Sequence, residues 1–111
     1  MIKLDHIAIT VKDLDESIEY YSKFGYKLIN KFNTDDIWAT LELNNTKLEL
    51  FQTNENLNHI AYSYETDEEA IELLKKLNYK KNVEIFYGDL NKKSFFIEDK
   101  NNNKIQLIKS Q

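Results

Sequence analysis

The sequence predicts an α+β fold made of two βαβββ modules, on two observations. One is an ungapped internal repeat; the other is an order of apolar periodicities within each copy that reads strand, helix, strand, strand, strand. Leu4-Asp5-His6-Ile7-Ala8-Ile9-Thr10 lies on Leu57-Asn58-His59-Ile60-Ala61-Tyr62-Ser63, and the same offset carries Glu16, Ile18, Glu19, Lys23, Tyr26 and Lys27 onto Glu69, Ile71, Glu72, Lys76, Tyr79 and Lys80. Further on the offset grows by about four, as one hairpin-sized insertion would cause. Asn44-Asn45-Thr46-Lys47-Leu48-Glu49-Leu50-Phe51 then falls on Asn101-Asn102-Asn103-Lys104-Ile105-Gln106-Leu107-Ile108. At 111 residues the chain is one domain's worth of material. A single domain over 1–111 is therefore expected, with module 1 at about 1–54 and module 2 at about 55–111.

The elements follow in order. Asp5 to Lys12 is a β-branched run and predicts a strand. Asp13-Leu14-Asp15-Glu16 opens a helical pattern with Ile18, Tyr21 and Phe24 on one stripe, and its acidic first turn suits the helix dipole. Gly25 supplies the stop. Three strands are expected near Tyr26 to Asn33, Asp36 to Leu43 and Thr46 to Thr53, separated by Asn, Thr and Asp turns. The second half repeats the order: a strand at His59, a helix from about Asp67 to Leu77, and strands near Asn82 to Tyr87, Lys93 to Asp99 and Lys104 to Lys109.

Side chains alternate faces along a strand. Ile7, Ile9 and Val11 are expected under the first helix, which puts His6, Ala8 and Thr10 on the other face. The same count sets His59, Ala61 and Ser63 opposite Ile60, Tyr62 and Tyr64, Glu49 opposite Leu48 and Leu50, and Gln106 opposite Ile105 and Leu107. His6, Glu49, His59 and Gln106 thus share the face away from the helices. If the sheets curl about that face, the four converge from pseudo-symmetric positions.

Two imidazoles, a carboxylate and an amide oxygen form a borderline-hard N/O donor set suited to Zn, Ni, Co, Fe or Mn and poorly suited to Cu(I). An ion so held polarises a carbonyl-type oxygen and eases proton transfer at the adjacent carbon, and Glu49, the only carboxylate of the four, can serve as ligand, base or both. Taken singly, each residue has an ordinary alternative: a strand histidine is more often hydrogen-bonded or exposed than a ligand, and a sheet-face Glu or Gln is more often solvated. Recurrence in both halves is what favours a shared role, though duplication alone can also leave it behind. Trp38, Thr40 and Phe95, the last taken as the counterpart of Trp38, are expected on the same concavity, with Phe32, Phe51 and Tyr87 at its rim as an apolar substrate wall. For each aromatic the alternative is plain core packing.

Composition narrows the classes. A net charge of −4 and the lack of a basic stripe argue against a nucleic-acid partner. Zero cysteines exclude disulfides, thiolate metal sites and thiol nucleophiles. No apolar run is long enough to span a membrane and no secretory h-region opens the chain, so no membrane partner and a cytoplasmic location are expected.

Several segments together resemble the glyoxalase / bleomycin-resistance / dioxygenase (vicinal oxygen chelate) superfamily, most like its small lactoylglutathione-lyase-type members. They are Leu4 to Ser17, Tyr20-Tyr21 ahead of Phe24-Gly25-Tyr26-Lys27-Leu28, Lys47-Leu48-Glu49-Leu50-Phe51, Asn58-His59-Ile60-Ala61 and Phe95 to Leu107. The resemblance implies a curved mixed sheet around a central cleft and a divalent metal ion at His6, Glu49, His59 and Gln106. It also implies a homodimer whose sites pair His6 and Glu49 of one chain with His59 and Gln106 of the other. Two departures stand out: Asp99-Lys100-Asn101-Asn102-Asn103 lacks the Pro and Gly usual before the last strand, and Gln106 stands where Glu is usual. Gln106 cannot act as a base, which leaves Glu49.

The function so implied is a metal-dependent lyase or isomerase acting through a chelated enediolate on a small oxygenated substrate. The short chain leaves little material for gripping a glutathione or coenzyme A tail. The alternatives are a methylmalonyl-CoA-epimerase-like epimerase and a metal-free drug- or small-molecule-binding protein of the bleomycin-resistance type. A thiol transferase of the fosfomycin type and an extradiol dioxygenase rank below these, because both look to want a carboxylate at Gln106.

Overall fold

The computed structural model describes residues 1–87 and 93–110, the side chains of Glu84, Phe86 and Tyr87 excepted. The elements run β1 (Lys3–Val11), α1 (Leu14–Ser22), β2 (Lys27–Asn33), β3 (Ile37–Leu43), β4 (Thr46–Gln52), β5 (His59–Tyr64), α2 (Asp67–Lys76), β6 (Glu84–Tyr87), β7 (Lys93–Glu98) and β8 (Lys104–Lys109). This is the α+β order of two βαβββ modules, the glyoxalase-like fold. The chain divides into two compact units, His6–His59 and Met1–Asp5 with Ile60–Gln111. Set against the division expected near residue 54, the first five residues group with the second half and residues 55–59 with the first.

In the His6–His59 unit the strand order is β2-β3-β4-β1. β1 runs parallel to β4, and β3 is antiparallel to both β4 and β2. The helix forms where its start is paired: the Asp13 carboxylate accepts from the Glu16 amide at 3.0 Å, and Gln52 Oε1 accepts from the Leu14 amide at 2.9 Å. Past the Lys23 C-cap, Gly25 holds φ 107°, a conformation without penalty only for glycine. Leu14, Ala39, Leu41, Leu48 and Leu50 form the core between helix and sheet, with Ile9, Val11, Ile18 and Tyr21 packed against it. Each buried leucine contributes roughly 1.5–3 kcal/mol of transfer free energy. Phe24 lies outside this stripe, 60 % exposed against Tyr20 and Tyr21, because the helix has already ended at Ser22.

In the other unit the order is β5-β8-β7-β6, with β5 parallel to β8 and the remaining pairs antiparallel. Thr66 caps α2 in a reciprocal capping box with Glu69. Tyr64, Ala70, Phe95, Ile97 and Leu107 make the core, joined by Ile2, Tyr62, Leu73 and Leu74. Ile7 and Ile60, expected beneath the helices, are instead 42 % and 41 % exposed at equivalent positions of the two modules. Ile7 sits mid-way along β1 and Ile60 is the second residue of β5, and neither belongs to the core cluster of its own unit.

The two hairpins that close the modules differ by one residue. Leu43 pairs with Thr46 across Asn44 and Asn45, both at positive φ, as a two-residue primed turn requires. The second hairpin closes with the Asp99 amide on Asn103 O at 3.1 Å, spanning three residues, with Asn102 at φ 65°. This is the longer loop with a left-handed residue. No helix among the described residues is long and apolar enough to cross a membrane.

Candidate metal centre

Leu48 and Leu50 point into the core and hold Glu49 on the opposite face of β4. Ile9 and Val11 do the same for the alternate residues of β1, which places His6 on Glu49's face. Ala8 is the direct neighbour of Glu49 across the β1–β4 ladder, so His6 reaches the carboxylate diagonally, past a side chain of one carbon. The result is His6 Nε2 at 3.3 Å from Glu49 Oε1, with His6 4 % exposed.

His59 completes the group. Its Nε2 lies 3.2 Å from His6 Nε2, and one ligand atom from each of His6, Glu49 and His59 lies within 4.8 Å of the others. His59 Nδ1 stands 2.7 Å from the Leu57 carbonyl oxygen. A carbonyl only accepts, so Nδ1 carries the ring proton and the Nε2 lone pair of the neutral ring faces His6. Fixing a ring through its other nitrogen is how metal-ligating histidines are oriented. Asn58 steadies this segment: its Oδ1 accepts from the Thr10 amide at 2.7 Å and the Thr10 hydroxyl at 3.1 Å.

Donor atoms about 2.1 Å from one ion stand roughly 3–3.5 Å apart. The two measured contacts have that spacing, and two nitrogen donors with a carboxylate suit a divalent ion. Buried His6 with half-buried Glu49 and His59 is therefore consistent with a divalent metal site. The expected division of the site between two chains is not needed for these three, because one chain brings both histidines together.

The remaining expected site residues fall as follows. Gln106, on β8, has its Nε2 3.5 Å from Ser94 Oγ and pairs with Phe96 across the ladder. Trp38, Thr40 and Phe51 lie on Glu49's face of their unit, where Trp38 pairs with Phe51 and Thr40 with Glu49. Phe95 is corrected: it is 5 % exposed in the helix-side core beside Tyr64. The longer second hairpin shifts the β7 register by one residue relative to β3, which reverses its faces and makes Phe96 the counterpart of Thr40. The side chain of Tyr87 lies outside the described residues. The Leu57 carbonyl and Asn58 were not anticipated; the match of Asn58 to Asp5 in the repeat was the one available signal.

Residues 3–107 match the model of the Glyoxalase/Bleomycin resistance protein/Dioxygenase superfamily. The chain belongs to this superfamily. Among solved structures, this glyoxalase-superfamily chain is similar to the hypothetical protein BH1468 from Bacillus halodurans C-125, at 21% identity over 99% of this chain and 95% of that one, with TM-score 0.74. It is also similar to methylmalonyl-CoA epimerase from Mycobacterium tuberculosis, at 20% identity over 97% and 87%, with TM-score 0.71. A third likeness is to homoprotocatechuate 2,3-dioxygenase from Brevibacterium fuscum, at 19% identity and TM-score 0.72, covering 98% of this chain but 33% of the dioxygenase. At these identities the structures show a shared fold. A comparison with curated protein sequences found no match.

Proposed function

We propose that this chain is a divalent-metal-dependent lyase or isomerase of the lactoylglutathione-lyase kind, which moves a proton at a carbon beside two vicinal oxygens. The observation that carries the reading is the convergence of the His6, Glu49 and His59 donor atoms within 4.8 Å of one another. The ion would supply Lewis acidity that stabilises negative charge developing on the substrate oxygens. His6 and His59 would hold it as neutral donors, with His59 set by the Leu57 carbonyl. Glu49, its side chain 18% exposed, would act as ligand and take up the proton. On the sequence repeat, Gln106 is proposed as a fourth ligand. A homodimer is the proposed assembly.

Elemental analysis of protein purified without a metal-affinity tag tests the centre; one divalent ion per chain is expected. His6→Ala and His59→Ala should each lower Co²⁺ affinity by about tenfold or more. Glu49→Gln should abolish turnover of a hemithioacetal formed from methylglyoxal and a small thiol while the ion is retained. Unchanged turnover in that variant removes the proposed base, and a chain that binds no divalent ion removes the enzyme reading in favour of a metal-free binding protein. Deuterium exchange at the α-carbon of methylmalonyl-CoA separates the related epimerase chemistry.

A further inference from the structure

Phe32, Trp38 and Phe51 stand side by side on consecutive strands, as direct cross-strand partners on β2, β3 and β4. Their rings form one parallel stack, with centroids 4.6 Å and 5.3 Å apart and planes inclined by 20° and 10°. The core of this unit lies on the other face of the sheet, at Ala39, Leu41, Leu48 and Leu50. All three rings are only half-buried. Stacking across a sheet by itself stabilises a fold, so the arrangement does not demand a ligand. Its position is what points to one. Phe51 follows Glu49 on the same face of β4, about 7 Å along the strand, and Trp38 stands in the same relation to Thr40.

We propose that the Phe32–Trp38–Phe51 stack is the platform for a flat, apolar arm of the substrate, whose adjacent oxygens are held at His6, Glu49 and His59. The inference rests on the metal-centre reading above and adds a substrate class to it: small aryl-bearing compounds with vicinal oxygens. Ring edges carry the positive part of the aromatic quadrupole, so the edges of a half-buried stack favour the face of a planar ligand. On β1 the neighbour of Phe51 is Thr10, a small side chain whose amide and hydroxyl both donate to Asn58 Oδ1. A phosphorylated tail gains no electrostatic help from a chain with net charge −4.

The test compares benzohydroxamate with acetohydroxamate, which present the same vicinal-oxygen head, on the full chain loaded with Co²⁺. Cobalt absorbance reports the head, and the fluorescence of Trp38, the only tryptophan, reports the arm. Benzohydroxamate should bind about tenfold more tightly than acetohydroxamate and alone change Trp38 emission strongly. Trp38→Leu and Phe51→Leu should each reduce that preference to about threefold or less, with Co²⁺ and acetohydroxamate binding unchanged. Equal affinities in the unaltered protein, a comparison that needs no variant, overturn the platform while leaving the metal centre standing. So does a preference that survives both substitutions. Failure to bind Co²⁺ overturns the metal-centre reading and this inference with it.

Discussion

His59 Nδ1 lies 2.7 Å from the carbonyl oxygen of Leu57, so the orientation of a candidate metal ligand is set by backbone two residues before it. The consequence reaches His6. With the His59 Nε2 lone pair 3.2 Å from His6 Nε2, a proton or a cation is needed between the two nitrogens. In the metal-free protein with both rings neutral, His6 supplies that proton from Nε2 and the rings hold opposite tautomers. Long-range ¹⁵N–¹H correlation spectra should show His59 as the Nδ1–H form and His6 as the Nε2–H form, and a divalent ion should convert His6 to Nδ1–H. Two rings in the same tautomer before metal is added would contradict the geometry.

Gly25 holds φ at 107°, and a Cβ built there would meet Leu43 Cδ1 at 3.2 Å. The leucine methyl can shift, whereas the backbone cannot change without moving the entry of β2. Gly25→Ala should therefore destabilise the chain by about 1–2 kcal/mol, mostly through backbone strain. Urea midpoints of the two proteins at one pH measure the loss.

Asp67 accepts from Lys109 Nζ at 3.0 Å, with Lys93 Nζ 3.8 Å away, and the Lys109 hydrogen bond, followed by the two positive charges, holds its carboxyl below the usual range. A carboxyl whose pKa is lower folded than unfolded adds stability above its unfolded pKa and loses it as pH falls through the folded value. Asp67→Asn should be less stable at neutral pH, and the gap should close as pH drops from about 4 downward. A series of urea midpoints from pH 7 to the acid limit would show this; a gap constant with pH would remove the ion pair as its cause.

The order of strands and helices was readable because the repeat supplied a second copy of every pattern, and β-branched runs, acidic helix starts and Asn turns then agreed at each step. The face of Glu49 was readable because Leu48 and Leu50 flank it on a strand with a core on one side. Phe95 was misplaced because pairing in β7 depends on loop length. The offset taken from β8 is carried back across a hairpin with one more residue than its counterpart, and one residue is enough to reverse a face. Ile7 and Ile60 escaped for another reason: alternation assigns a face but does not say how far along a strand a short helix covers it. The Leu57 carbonyl could not be found from side-chain identities, since every residue offers the same group.

Ala8, beside Glu49, is 1 % exposed, and Ala61, the neighbour of Gln106 on the β5–β8 ladder, is 0 % exposed. A side chain that ends at Cβ gives clearance, and at position 8 that clearance is the corridor through which an imidazole and a carboxylate from adjoining strands meet. Bulk added there would wedge the donors apart without touching either one. The capacity to hold an ion is thus set partly by a methyl group that can never bind it.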